Sequence, residues 1–274
     1  MKSSNLLAHL SGFFLLLYGL SSCSGALYQS PLPVVPMLDS ASQATISIVK
    51  GGLVQNSYLG GQFAYSPFNH FGIAASYMDY DNDFIQADRP LKGQMTEVLM
   101  GGYFSPGKSK TVIVEGYAGY GLGDGFAKLN QYETRFDLES HFIQGAIGFV
   151  SDKKHFKTKI IGSIRLSRLH YSNIKMTGEP QSFWPFWPWN QPYDFQYALD
   201  RNPTHFAVEP GLRLMLHYKA LNVDFRLNYS LIAYSDLPIN NFSLGFGLSL
   251  SIDEIFKRRG GGAEGALGIT LLNQ

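Results

Sequence analysis

The chain has 274 residues, with 22 Lys+Arg against 21 Asp+Glu and a net charge of +1, so it carries neither a basic field for nucleic acid nor an acidic tail. Its single cysteine excludes an internal disulfide. The 16 Tyr, 20 Phe and 3 Trp, with 29 Gly in a chain only 16% charged, suit many strands joined by glycine-containing turns.

The first element is an export signal. Lys2 supplies the positive start, Leu6 to Leu20 an apolar run, and Ser21 and Ser22 the small residues ahead of Cys23. That run is too short for a spanning helix, and Leu20-Ser21-Ser22-Cys23 resembles a lipobox. The expectation is a signal peptide over 1–22 and lipid attachment at Cys23, leaving 274 − 22 = 252 residues. Residues 23–43, rich in proline, read as an extended periplasmic tether. No later segment approaches eighteen consecutive apolar residues, so helical spans are not expected.

Alternation takes over from residue 44. Ten strands are predicted, at 44–50, 57–66, 71–80, 93–104, 111–121, 134–150, 156–171, 204–217, 221–234 and 241–252. In the ninth, Leu221, Val223, Phe225, Leu227, Tyr229 and Leu231 share one face, while Asn222, Asp224, Arg226 and Asn228 share the other. Pro210 marks a bulge in the eighth. In the sixth, Phe136, Leu138 and Phe142 take one parity and Ile143, Ile147 and Phe149 the other, which suggests a bulge between His141 and Gln144. Strands of ten or more residues match the 9–11 that a tilted strand needs to cross a bilayer, whereas soluble strands usually have about 5–6. Every second connection is short and the intervening ones are generally longer, above all 172–202, which is the periplasmic-turn and outer-loop asymmetry of outer-membrane barrels. The expected fold is therefore an all-β, antiparallel up-and-down transmembrane β-barrel over 44–252, with ten strands, or eight if the first hairpin stays outside the wall. A soluble periplasmic β-sandwich lipoprotein is the competing class. Residues 253–274, with Gly260-Gly261-Gly262, read as a flexible tail.

Cys23, Tyr28, the run Pro31-Leu32-Pro33-Val34-Val35-Pro36-Met37-Leu38 and the hairpin Gly61 to Ile73 resemble outer-membrane β-barrel lipoproteins of the Bacteroidetes. The resemblance implies a barrel and a lipid anchor and carries no established activity. Ser243-x-Gly245-x-x-Leu248-x-Leu250 is similar to a barrel-assembly signal, which implies recognition by the barrel-assembly machinery. No acidic cluster follows Ser24 and Gly25, so the anchor is expected in the periplasmic leaflet.

With the longer apolar faces turned to lipid, Glu97, Glu115, Arg165, Glu209, Arg213, Asp224 and Arg226 point into the barrel. Buried charges persist only when paired, so these residues are expected to form a network that plugs the lumen. The alternative is a narrow ion or water channel. Trp184, Trp187 and Trp189 lie in one proline-containing loop, either as a membrane belt or lid, or as a recognition platform for a surface glycan or protein. His141, His170, His205 and Ser172 lie near outer strand ends, where a lipid-A-modifying barrel enzyme would place its chemistry, but their spacing defines no triad and no catalytic residue is assigned. No spacing suits a metal, and no cofactor is expected.

Overall fold

The computed structural model describes residues 28–29, 33–51, 57–81, 91–107, 111–129, 132–153, 156–177, 199, 201–233, 239–240 and 242–259. The wall is built from β2 (Ala44–Gly51), β3 (Ser57–Phe68), β4 (Phe71–Asp81), β5 (Leu91–Phe104), β6 (Val112–Leu129), β7 (Tyr132–Lys153), β8 (Phe156–Thr177), β9 (Thr204–Tyr218), β10 (Leu221–Tyr229) with its continuation β11 (Leu231–Ala233), and β13 (Phe242–Ser251). Each strand pairs antiparallel with the next, and β13 pairs with both β10 and β2, so the sheet closes as a ten-stranded barrel. Because β2 and β3 both belong to the wall, the eight-strand alternative fails. Closure also rules out a two-sheet sandwich. A two-residue parallel pair joins β1 (Tyr28–Gln29) to β12 (Ile239–Asn240), and a helix, α1 (Ile252–Arg259), follows β13.

Alternation decides which side of the wall each residue takes. Outward-facing residues include Ile46 and Ile48 on β2, Val98 and Met100 on β5, Ile143 and Ile147 on β7, Ile160 and Ile164 on β8, Leu212 and Leu214 on β9, and Leu248 and Leu250 on β13, all exposed. Exposed apolar residues on every side of a closed wall make an apolar belt, which is stable against hydrocarbon and not against water. Phe68, Phe104, Phe156 and Tyr218 ring its short-turn edge, and the Phe156 and Tyr218 rings lie 5.3 Å apart. Such a girdle marks the level of the lipid headgroups.

Two expected bulges are absent where they were predicted. On β7 the even residues from Thr134 to Gly148 are all buried, so Phe136, Leu138 and Phe142 face the lumen while Ile143 and Ile147 face out. The apolar parity changes because the strand leaves the membrane: toward the long loops its outward side carries Arg135, Asp137, Glu139 and His141, and its inward side carries the aromatics. The register irregularity lies between Arg135 and Asp137 instead. Pro210, having no N–H to donate, breaks the ladder without shifting it. Pairing with β9 stops at Asn228↔Gly211 and resumes in the same register at Leu231↔Val208. Strands β6, β7 and β8 also run past their predicted outer ends, to Leu129, Tyr132 and Thr177. There alternation continues with polar residues on the outer face, a pattern that resembles a loop in sequence. The helix takes Ile252 from the expected last strand and residues 253–259 from the expected flexible tail, with Asp253 and Glu254 in its first turn, where they favour the helix dipole.

The belt makes the two faces respond differently to charge. Ile147→Arg should destabilise the barrel in lipid by about 2–4 kcal/mol if the site lies near the bilayer midplane, while Glu139→Arg, beyond the belt, should change it little. Urea titration of both variants refolded into vesicles measures the difference.

Candidate functional site

The inward faces of the strands enclose a filled lumen, and an upstream segment of the chain is part of the filling. Pro33 to Leu38 are all buried. Their side chains pack on the inner wall, Val34 against Ala64, Ala74, Leu99, Tyr117 and Phe142, and Val35 and Met37 against Ile113, Ala146 and Ile161. The wall makes room for them with two glycines. A Cβ on Gly148 would fall 1.9 Å from Met37 Cε, and one on Gly72 would fall 2.7 Å from Leu38 Cδ1. This strap lies within residues 23–43, the segment expected from the sequence to be a periplasmic tether.

A strap without secondary structure needs partners for its backbone, and wall side chains provide them. Gln144 Nε2 donates to the Val34 carbonyl at 2.8 Å, an Arg213 guanidinium nitrogen to that of Val35 at 2.6 Å, and Lys159 Nζ to that of Met37 at 3.2 Å. The Leu38 N–H donates to Glu115 Oε1 at 2.9 Å. These partners stand on four consecutive strands, β6 to β9. At the short-turn end Lys157 reaches Asp39 at 3.8 Å.

All seven charges expected inside the lumen are buried there, between 0% and 8% exposed. They form separate groups. Arg165 contacts both Glu97 and Glu209, with one guanidinium nitrogen 3.1 Å from Glu97 Oε2 and Nε 3.1 Å from Glu209 Oε2. Its guanidinium carbon lies 3.6 Å from the Phe142 ring centroid. Ser167 and Ser230 donate to the two Glu209 oxygens, and Ser76 Oγ lies 3.4 Å from Glu97 Oε2. In a second group Asp224 bridges Arg213, at 2.9 Å, and Arg226, which also donates to Gln62. Glu115 belongs with the strap. Sequence reasoning missed Lys159, because it stands among Lys153, Lys154 and Lys157 at a polar turn and reads as solvated there. Its odd parity on β8, shared with Ile161 and Arg165, is the signal that could have found it. With Lys159 included, the buried charged residues among those described are four acids and four cations.

Toward the long loops, an apolar layer of Tyr58, Met78, Tyr80, Met95, Phe136, Leu138, Leu169, Tyr171 and Ala207 fills the lumen, and Leu199 of the β8–β9 connection packs into it. Toward the short turns lies a polar cavity of about 160 Å³, bounded by the strap, Lys159, Arg213, His217 and the acids Asp253 and Glu254 of α1. Glu254 lies 3.1 Å from His217 Nε2.

The histidines near the outer strand ends are divided between the two sides of the wall. His205 faces inward against Tyr171, with ring centroids 5.8 Å apart. His141 and His170 sit on the outer side, where His141 packs edge-on to Tyr120 and His170 Nδ1 bonds Thr204 Oγ1. Glu139 stands opposite His170 in the β7–β8 register, as Asp137 does opposite Ser172, yet Glu139 accepts from Tyr120 and Asp137 from Asn173. Cys23, Trp184, Trp187 and Trp189 lie outside the described residues.

No protein-family model and no curated protein matches the chain. Among solved structures it is similar to LpxR from Salmonella typhimurium, at 9% identity over 76% of this chain and 99% of that one, with a TM-score of 0.41. It is likewise similar to the translocator domain of the autotransporter NalP from Neisseria meningitidis, at 11% over 91% and 97%, TM-score 0.37. The N-terminal β-barrel domain of Pseudomonas aeruginosa OprF gives 10% over 78% and 99%, TM-score 0.33. Likeness at this level bears on no activity.

Removing Arg165 strands two buried carboxylates, which typically costs about 3–5 kcal/mol. Arg165→Leu should therefore lower the temperature at which the folded band is lost in heat-modifiability gels by far more than Lys92→Leu, whose partner Asp81 is at an exposed strand end.

Proposed function

We propose that this chain is a closed, non-conducting outer-membrane barrel that serves as a lipid-anchored scaffold for the segments it carries on its long-loop side. One observation supports this reading above the others: the strap of residues 33–38 fills the lumen and is held by side chains from four strands. A solute path would need those groups free. In this barrel they are bonded to backbone, and an apolar layer that includes Leu199 lies beyond them.

On this reading the apolar belt faces outer-membrane lipid, and the barrel-assembly machinery inserts the barrel through its closing strand, β13. The lipobox at Cys23 supplies the anchor after removal of residues 1–22. The loop with Trp184, Trp187 and Trp189 would serve as an aromatic recognition platform for a glycan or protein at the cell exterior. The filled lumen favours scaffold over channel, and the division of the histidines between the two sides of the wall favours scaffold over enzyme.

In a planar bilayer the reconstituted protein should pass no steady current. A steady conductance that changes on Arg226→Gln would replace the scaffold with the narrow channel. Labelled palmitate should enter the parent and not Cys23→Ala, and incorporation into that variant would remove the anchor from the reading.

A further inference from the structure

The direction of the strap through the lumen follows from its partners. On β7, Val34 is held by Gln144 and Met37 lies over Gly148, four residues nearer the short turn that joins β7 to β8. On β8, Met37 is held by Lys159 and Asp39 by Lys157, closer still to that turn. As residue number rises, the strap therefore descends to the short-turn end, where it enters β2 at Ala44. Its other end points at the long loops.

The remaining described residues agree. Tyr28 and Gln29 pair in parallel with Ile239 and Asn240. That partner lies in the connection from β11 to β13, on the long-loop side of the barrel. Pro33 lies four positions beyond Gln29, a reach of up to about 14 Å.

We propose that the barrel is threaded by its own upstream chain, so that everything before Pro33 leaves through the long-loop mouth and is displayed on the cell exterior. This rests on the outer-membrane orientation given under Proposed function. Tyr28 lies five positions beyond Cys23 (28 − 23 = 5), and a chain extended over five positions spans at most about 18 Å. The apolar band of such barrels is about 25 Å tall. An acylated Cys23 would then reach the leaflet beside the long loops and not the periplasmic leaflet expected from the sequence.

Threading also orders assembly. A chain carrying acyl groups cannot be pushed through a closed wall, so the barrel must close around a strap already in place. The seam between β2 and β13, Thr45↔Ser251 to Gly51↔Gly245, joins the first and last wall strands and is where that closure falls.

Single cysteines read with a membrane-impermeant maleimide on intact cells test the route. Gln29→Cys should react to the level of Asn130→Cys, in the connection between β6 and β7, while Ala220→Cys, in the β9–β10 turn, should react only after permeabilisation. In a double variant, Gln29→Cys with Asn240→Cys should cross-link under mild oxidation, because these residues are register partners. Reaction of Gln29→Cys only after permeabilisation, with both controls behaving as stated, overturns the threading while leaving the barrel's orientation intact. Failure of the pair to cross-link overturns it too. Reaction of Ala220→Cys on intact cells overturns the orientation and the proposal with it.

Discussion

Three backbone carbonyls, those of Val34, Val35 and Met37, receive hydrogen bonds from Gln144, Arg213 and Lys159 inside a closed wall, and the organisation of the short-turn half of the lumen depends on that exchange. A strap with no strand or helix of its own would leave buried backbone groups unpaired, at about 1–3 kcal/mol each. An inward lysine or arginine without partners would be costlier still. Each solves the other's problem. The cations of the lumen are thus more than counterions for Glu115 and Asp224, because Lys159 and Arg213 also take the place of a neighbouring strand for the segment they hold.

Charge balance extends this logic through the barrel. Four acids and four cations are buried among the described residues, grouped so that Arg165 serves two glutamates and Asp224 serves two arginines. Ser76 and Ser167 share with Arg165 the Glu97 and Glu209 Oε2 atoms it contacts, and Ser230 donates to the other Glu209 oxygen. Such networks are weak evidence for stability when compared with an apolar core of the same volume. They do bind the barrel into one register, since Glu97, Arg165 and Glu209 sit on β5, β8 and β9, and a slip by one residue would turn any of them to lipid.

The wall carries two environments along one strand. On β7 the membrane half is apolar outside and meets the strap inside, while the outer half is polar outside and aromatic inside. This inversion explains why the three tall strands β6, β7 and β8 rise beyond the belt: Phe136 of β7 and Tyr171 of β8 bury against each other and within a cluster that holds Leu199, with Ala127 of β6 packed against it, and burial there supports strand structure that the bilayer no longer supports. His141, His170, Glu139 and Ser172 stand on the outer side of this region, bonded to neighbours such as Tyr120 and Thr204.

Period-two patterning alone determined most of the wall. Strand length, alternation and the spacing of turns locate ten strands within a few residues, as with Leu221 to Leu231, and parity alone sends Glu97, Glu115, Arg165, Glu209, Arg213, Asp224 and Arg226 inward, because a strand's two faces are set by local geometry. The strap was not legible. Pro33 to Leu38 has no period, and its apolar residues fit a tether at a membrane surface as well as a lumen. Only the closed barrel, with Gly72 and Gly148 leaving space for Leu38 and Met37, decides that they are buried. Lys159 was hidden for the same reason, its partner being a backbone carbonyl 122 residues away. The outer ends of β6 to β8 and the change of parity on β7 also needed the tertiary structure. Sequence records which residues alternate, while the surroundings of a wall, whether lipid, water or a segment of its own chain, exist only once the barrel has closed.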